Sequence, residues 1–240
     1  MKIKDIDAYQ IFDSRGQPTI EAVVTLENGV KGYGLVPSGA STGQFEALEL
    51  RDGDSTYFAG KAVTKAIKHI KVDLANIVIG QNVNDQRLID QSMCELDGTA
   101  NKSRLGANAI LGISLAVASA AAKNQNKPLY QTLDINCDNT LIPLPEIQLV
   151  GGGAHAQWRT DIQDFLLIVN GAKTYDECLE VTYNVYQAGQ KLLKSRNLLV
   201  VVLTKEAFGQ ALILMMKYSS LLLKPLRKRT IFQVKMFRYH

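Results

Sequence analysis

Three stretches near the start of the chain have the apolar pattern of strands. They are residues 3–11, 20–27 and 30–36, and the second carries the β-branched run Val23-Val24-Thr25. Asn28-Gly29 lies between the second and third stretches, where a tight hairpin turn requires residues that accept positive φ. The pattern therefore predicts an antiparallel meander of three strands.

Helical spacing of apolar residues follows this meander. It recurs in residues 59–71, 83–96 and 105–124, and the polar residues between the apolar positions fit helices that lie on one face of a sheet. Strands followed by helices in this order predict an α+β domain, which we place at residues 1–135.

A second domain is predicted after a polar linker at residues 136–139. The prolines of Leu141-Ile142-Pro143-Leu144-Pro145 favour an extended chain. Residues 145–150 and 164–169 have the pattern of strands, and Thr174 to Ser195 that of a helix. Two strands this apolar belong in a larger sheet, so residues 140–202 are expected to be the start of an incomplete domain.

Composition places the chain among ordinary folded proteins, with 46% hydrophobic and 21% charged residues. The three cysteines have no disulfide or metal spacing, and the N-terminus lacks the apolar core of a signal peptide. The apolar stretch 105–122 is rich in Ala and Gly, which favours a buried helix over a membrane span. We therefore expect a cytoplasmic protein with no membrane span.

Charge is unevenly distributed along the chain. Residues 207–240 contain no acid, whereas they hold seven basic residues: Lys217, Lys224, Arg227, Lys228, Arg229, Lys235 and Arg238. Such a segment, rich in Leu, Phe and Met, could bind an anionic membrane surface or a partner protein. The alternative is that it is not selected protein sequence.

The first of four motifs runs from Asp13 to Thr19 and reads D-S-R-G-Q-P-T. Gly16 and Pro18 are typical of a turn between two strands. Taken alone, the motif predicts a structural turn.

The second motif, P-S-G-A-S-T-G at residues 37–43, is a loop of small residues. Its hydroxyls and backbone N–H groups could meet a phosphate or a metal ion, although it lacks the lysine of a P-loop. A flexible connector is the plainer interpretation, and the two agree if the loop is a lid.

The third motif, G-G-G-A-H-A at residues 151–156, follows a predicted strand and precedes Gln163-Asp164-Phe165. Glycines let the backbone approach a ligand, and the imidazole of His155 can hold or move a proton near neutral pH. A lone histidine on a loop is otherwise incidental.

The fourth motif, L-D-G-T-A-N-K-S-R-L-G-A-N-A-I-L-G at residues 96–112, leads from a polar turn into a helix of small residues that favours close packing. In their order along the chain, with the fourth motif before the third, these motifs over residues 1–202 resemble enolase, the 2-phosphoglycerate dehydratase of glycolysis. The resemblance implies an α+β N-terminal domain followed by an α/β barrel, of which this chain holds only the start. It also implies a homodimer, which the missing barrel puts in doubt.

The resemblance implies roles for four residues. Ser41 matches a serine that ligates Mg²⁺, His155 matches a histidine near the substrate, and Gln163 and Asp164 match a Gln-Glu pair beside it. In this superfamily a lysine or histidine base would remove a proton from the substrate, and Mg²⁺ would stabilise the anion that results. Asp164 is one methylene shorter than the family's glutamate, and Gly151 and Ala154 replace an Asn and a Ser.

The pattern of the family stops near Val202. A D-E-G-G motif with the general-acid glutamate should follow, but Lys205 lies at that glutamate's position. The magnesium carboxylates and the lysine base are also missing, so we expect no retained catalytic residue. Permitted codons for residues 202–210, read one base out of phase, encode A-D-E-G-G-F-W-P, which predicts that residues 203–240 are an out-of-frame tail.

Two functions from different classes follow from the sequence. The first is an enolase by descent, with 2-phosphoglycerate and phosphoenolpyruvate as family ligands and no activity in this form. The second is a non-catalytic interaction protein that uses the basic tail. A frameshift explains the tail without a membrane or nucleic-acid partner.

Overall fold

A computed structural model describes residues 1–39, 43–133, 141–151, 162–195 and 233–237. The chain divides into two units, residues 1–139 and 140–240, which are described separately below.

The first unit begins with the predicted antiparallel meander. Its strands, in sheet order, are β1 (Ile3–Phe12), β2 (Pro18–Leu26) and β3 (Lys31–Leu35). Gly29 adopts φ +83° in the turn between β2 and β3, and its N–H donates to the Leu26 carbonyl at 2.9 Å. Gly29 thus has the positive φ that the sequence predicts, whereas Asn28 does not, so the turn differs from the hairpin turn in which both central residues have positive φ.

Helices follow this sheet in the chain, and several of them pack against its strands. They are α1 (Thr64–His69), a π-helical turn (Ile70–Leu74), α2 (Ala75–Val78), α3 (Gln86–Asp97), α4 (Ala107–Asn124) and α5 (Leu129–Leu133). The helix predicted over 59–71 starts later and continues to Val78 through the π-helical turn, while Phe58–Gly60 is a short 3₁₀ turn. Helix α5 was not predicted.

The core of the first unit lies between the sheet and α4. Ile20, Ala22, Val24 and Leu26 alternate along β2 and are fully buried. Helix α4 contributes ten buried residues, most of them Ala, Gly or Ile. This unit is the predicted α+β domain.

The second unit contains a small open sheet within the described residues. Its strands, in sheet order, are β4 (Glu146–Gly151), β5 (Asp164–Ile168) and β6 (Gln233–Phe237), and both ladders are antiparallel. The predicted strands 145–150 and 164–169 thus pair with each other. Strand β6, from the segment predicted to be out of frame, covers the other edge of β5.

Helix α6 (Tyr175–Ser195) completes the second unit. A capping box fixes its start: the Thr174 hydroxyl oxygen accepts from the Glu177 N–H at 3.1 Å, and the Glu177 carboxylate accepts from the Lys173 N–H at 2.8 Å. Cys178, Val181 and Val185 on this helix form a small core with Leu167 and Val169.

The described residues of the second unit match the start of a barrel rather than a closed one. Among the helices that the structure describes, none has both the length and the apolar character needed to cross a membrane.

Candidate functional site

The first motif forms a tight turn between β1 and β2. Asp13 Oδ1 accepts from the N–H groups of Arg15 and Gln17, both at 2.8 Å, and Gly16 adopts φ +70°. The hydrogen bond from Gln17, followed by those from Arg15, lowers the pKa of Asp13. The turn is structural, as predicted, but it also directs Arg15 toward the second motif: Arg15 Nη2 donates to the Ser38 carbonyl at 2.6 Å.

Arg51 joins the second motif to the rest of the first unit. Its Nη1 donates to the carbonyl oxygens of Pro18 and Lys61, each at 2.5 Å. Its Nη2 donates to Ser38 Oγ at 3.0 Å and to Glu49 Oε1 at 2.5 Å. Ser38 Oγ in turn donates to Glu49 Oε2 at 3.2 Å. We call Arg51, Ser38 and Glu49 the arginine hub.

The fourth motif holds the segment that carries the hub. The Asn108 side chain accepts from the Leu50 N–H at 3.1 Å and donates to the Leu50 carbonyl at 3.0 Å. Leu50 lies between Glu49 and Arg51, and Asn108 is only 3% exposed. A buried amide that satisfies both backbone groups of one residue fixes its position. The start of α4 therefore places the hub.

Asp97 organises the turn that precedes α4. Its carboxylate accepts from the Leu105 N–H at 2.7 Å, from the Thr99 N–H at 3.0 Å and from the Thr99 hydroxyl. Burial raises the pKa of Asp97, but the hydrogen bonds from Thr99 and Leu105 outweigh it, so the pKa lies below its ordinary value. The fourth motif thus has the packing role that its sequence predicts.

A cavity of about 390 Å³ opens beside the hub. Its lining residues are Arg15, Gln17, Ser38, Gly39, Glu49, Arg51 and Lys61. Three cationic side chains face one carboxylate there. Ser41, the predicted magnesium ligand, lies outside the described residues, whereas both ends of its loop are held: Ser38 by the hub, and Gly43 by an N–H bond of 2.8 Å to Glu46 Oε2.

In the second unit, two of the three predicted substrate residues are described. Gln163 is half-buried just before β5, and Asp164 is the first residue of that strand, paired with Gly151 at the end of β4. The Gln148 side-chain amide donates to Asp164 Oδ1 across the two strands. His155 lies outside the described residues.

The described residues do not by themselves fit Mg²⁺. This ion takes six oxygen ligands, including carboxylates, in octahedral geometry. Among the residues that the structure describes, no group of three or more His, Cys, Asp or Glu side chains could hold a metal. Gln163 and Asp164 provide one carboxylate, which is already hydrogen-bonded to Gln148.

Sequence reasoning missed the arginine hub. The segment Leu48-Glu49-Leu50-Arg51 alternates apolar and charged residues, which is the pattern of a half-buried extended chain. That signal gives the burial of the segment but not its partners, because Pro18, Ser38 and Lys61 are distant in sequence.

Comparisons with known proteins match both units. Residues 3–133 match the model of the enolase N-terminal domain, and residues 139–205 match that of the enolase C-terminal TIM barrel domain. The order of the matches defines the class: an α+β domain followed by part of an α/β barrel.

Curated relatives give the same family. Enolase 1 of Desulfitobacterium hafniense is 52% identical over 193 residues, 80% of this chain and 44% of the relative. The enolase of Bifidobacterium adolescentis is 46% identical over 196 residues, which are 82% of this chain and 45% of the relative. The enolase of Mycoplasma genitalium is 47% identical over 202 residues, which are 82% of this chain and 44% of the relative.

The chain belongs to the enolase family, whose members are lyases. This confirms the family resemblance, and it confirms the predicted fold of an α+β domain followed by an incomplete barrel. The chain spans about 44–45% of the length of the relatives it matches. Neither the matches nor the described residues support the alternative of an interaction protein.

Proposed function

We propose that this chain carries the front part of an enolase, which serves the reversible dehydration of 2-phosphoglycerate to phosphoenolpyruvate, and that the 240-residue chain does not complete this reaction alone. The pair of enolase domain matches in chain order, with 46–52% identity to relatives named as enolases, carries the proposal. A glycolytic role and a cytoplasmic location belong to the same proposal.

The proposal gives four residues a role. Ser41 is one ligand of Mg²⁺, and His155, Gln163 and Asp164 contact the substrate. A serine hydroxyl alone does not hold Mg²⁺, which prefers several oxygen ligands. The proposed magnesium site therefore needs ligands beyond those that the described residues provide.

The geometry around Asp164 supports a binding role for this residue. The Gln148 amide fixes one carboxylate oxygen, which leaves the other oxygen able to accept a hydrogen bond from a ligand. Asp164 also lies opposite Gly151, the last residue of β4, so it stands at the same end of the sheet as the start of the third motif.

The absence of turnover follows from the residues after Val202. In the alignment with the family motif, Lys205 lies where the general-acid glutamate should be, which reverses the charge. A lysine ammonium has an ordinary pKa near 10, so it is a much weaker proton donor to a departing hydroxyl than a carboxylic acid.

Two proteins test the two halves of this proposal. The first is the purified 240-residue chain, assayed for phosphoenolpyruvate formation from 2-phosphoglycerate with Mg²⁺, for which we expect no turnover. The second is a chimera that joins residues 1–202 to the matching C-terminal part of the Desulfitobacterium hafniense enolase. The chimera should turn over, and both EDTA and the substitution Ser41→Ala should abolish most of its activity.

Each half of the proposal has its own contradicting outcome. Normal turnover by the 240-residue chain would overturn its proposed inactivity. A folded chimera with no magnesium-dependent turnover would overturn the proposed function of the front part. Thr56→Ala in the chimera, on a turn where the Thr56 hydroxyl bonds only to Asp54 among the described residues, is the matched control and should keep full activity.

A further inference from the structure

Arg51 joins three segments that are far apart in sequence. They are the start of β2 at Pro18, the second motif at Ser38 and the backbone at Lys61. The side chain of Arg51 is 22% exposed, so water screens its contacts only in part. Arg51 therefore restricts how these three segments can move relative to one another.

The geometry of these contacts requires a guanidinium group. Nη1 binds two backbone carbonyls, while Nη2 binds the Ser38 hydroxyl and the Glu49 carboxylate, so the four bonds leave the planar fork in different directions. A lysine ammonium has one nitrogen on a flexible stem, so it cannot bind all four of these acceptors at once. Charge alone therefore does not reproduce the contacts.

Ser38 is held from two sides. Its hydroxyl accepts from Arg51 and donates to Glu49, and its carbonyl accepts from Arg15 Nη2 at 2.6 Å. Two residues earlier, the Val36 carbonyl accepts from the Thr19 hydroxyl at 2.7 Å, and the Val36 N–H donates to the Ile20 carbonyl at 3.0 Å. The backbone up to Ser38 is thus attached to β2.

We propose that Arg51 is a positioning residue, which fixes the backbone of Ser38 and Gly39 at the start of the second motif, the predicted loop of residues 37–43. Its importance for chemistry rests on the proposed function, because Ser41 follows in this loop. Asn108 acts through Arg51, since it holds the backbone of Leu50 next to it. The start of α4 is in this way connected to Ser38, through Leu50 and Arg51.

The test measures backbone order in the 240-residue chain without any ligand. In ¹⁵N-labelled protein, the NMR order parameters of the Ser38 and Gly39 amides should be near 0.85, the value of rigid backbone. In Arg51→Lys and Arg51→Met they should fall below about 0.6, while the amides of α4 keep their values. The matched control is Arg87→Lys on the exposed surface of α3, which should change neither.

A double-mutant cycle separates positioning from general destabilisation. Ser38→Ala removes only the hydroxyl, so it should lower the order at Gly39 to an intermediate degree. In a chain that already carries Arg51→Lys, Ser38→Ala should lower the order parameter of Gly39 much less than it does in the wild-type chain, because both changes break the same contact. If Arg51→Met fails to fold, Arg51→Lys and Ser38→Ala still give the answer.

Two results would overturn the inference. One is that Arg51→Lys keeps the wild-type order at Ser38 and Gly39, which would mean that charge suffices. The other is full additivity of Arg51→Lys and Ser38→Ala. Neither result depends on turnover, so failure of the proposed function in the chimera and failure of this inference are distinguishable.

Discussion

At the scale of single residues, Asp97 shows how a buried carboxylate is kept charged. Only 2% of its surface is exposed, and burial disfavours the charged form. Two N–H groups and a hydroxyl from the following turn offset this cost, so the carboxylate stays ionised in the folded chain. The turn and the charge therefore depend on each other.

This dependence predicts acid sensitivity of the first unit. Because the pKa of Asp97 is lower in the folded than in the unfolded chain, its contribution is present above the ordinary aspartate pKa near 4 and is lost as the pH falls through the folded value. The free energy of unfolding, measured with urea and circular dichroism, should therefore decrease below about pH 4. Asp97→Asn should flatten this decrease.

The exposed Asp85 provides the control for the acid experiment. Asp85→Asn removes a carboxylate whose side chain makes no hydrogen bond that the structure describes, so it should keep the wild-type slope. An unchanged slope in Asp97→Asn would contradict the prediction.

Residue partners were the part of the candidate site least accessible to sequence reasoning. The motifs pointed to Ser41, His155, Gln163 and Asp164 through the resemblance, and Ser41 and His155 lie outside the described residues. The contact of Arg51 with Pro18 joins residues 33 positions apart and that of Asn108 with Leu50 joins residues 58 apart, and local pattern carries no information about such pairs. Periodicity reports which face is buried, not what covers it.

At the scale of elements, the packing of α4 on β3 is unusually close. A Cβ placed on Gly32 would lie 2.1 Å from the Ala116 carbonyl oxygen, and one on Gly34 would lie 2.1 Å from that of Gly112. These neighbours are backbone atoms, so they cannot move aside as a side chain could. The helix rests directly on the strand because both surfaces are made of small residues.

Gly34→Ala should therefore destabilise the first unit strongly. The added methyl group has to push α4 away from the sheet, and overpacking of this kind costs about 3 kcal/mol or more when the backbone cannot yield. Urea unfolding measures the loss. Gly43→Ala is the matched control, since no atom of the described residues lies within 4 Å of a Cβ there. Equal stability of the two variants would refute the prediction.

The type and order of most elements followed from the sequence, but several boundaries did not. The small residues of 105–124 predicted a closely packed helix, although they could not identify Gly32 and Gly34 as its neighbours. The helix predicted over 59–71 ends instead at Val78, because a π-helical turn carries the chain past the expected end. Helix α5 has only five residues, too few for an apolar period to be recognised.

At the scale of the whole molecule, the described residues of the two units form cores of different size. The first is an α+β domain with one continuous core. The second has a small core and a sheet whose third strand, β6, follows the end of the family match at residue 205. The predicted domain limits at 135, 140 and 202, and the out-of-frame tail, stay predictions.

Strand β6 should protect β5 from association. An uncovered strand edge presents N–H and C=O groups that can pair with another chain. A chain that ends at residue 232 lacks β6, so it should form oligomers at lower concentration than a chain that ends at residue 237, as measured by light scattering. Identical behaviour of the two chains would mean that β6 does not cover this edge in solution.

The pairing of β5 also has a consequence for synthesis. β4 and β5 are made close together in time, whereas β6 is made much later because a long segment separates it from β5. Contacts between residues so distant in sequence form late, because a long loop must close first. During translation the nascent chain therefore carries an apolar strand, β5, with one unpaired edge. A chaperone would bind this strand best in the interval before β6 pairs with it.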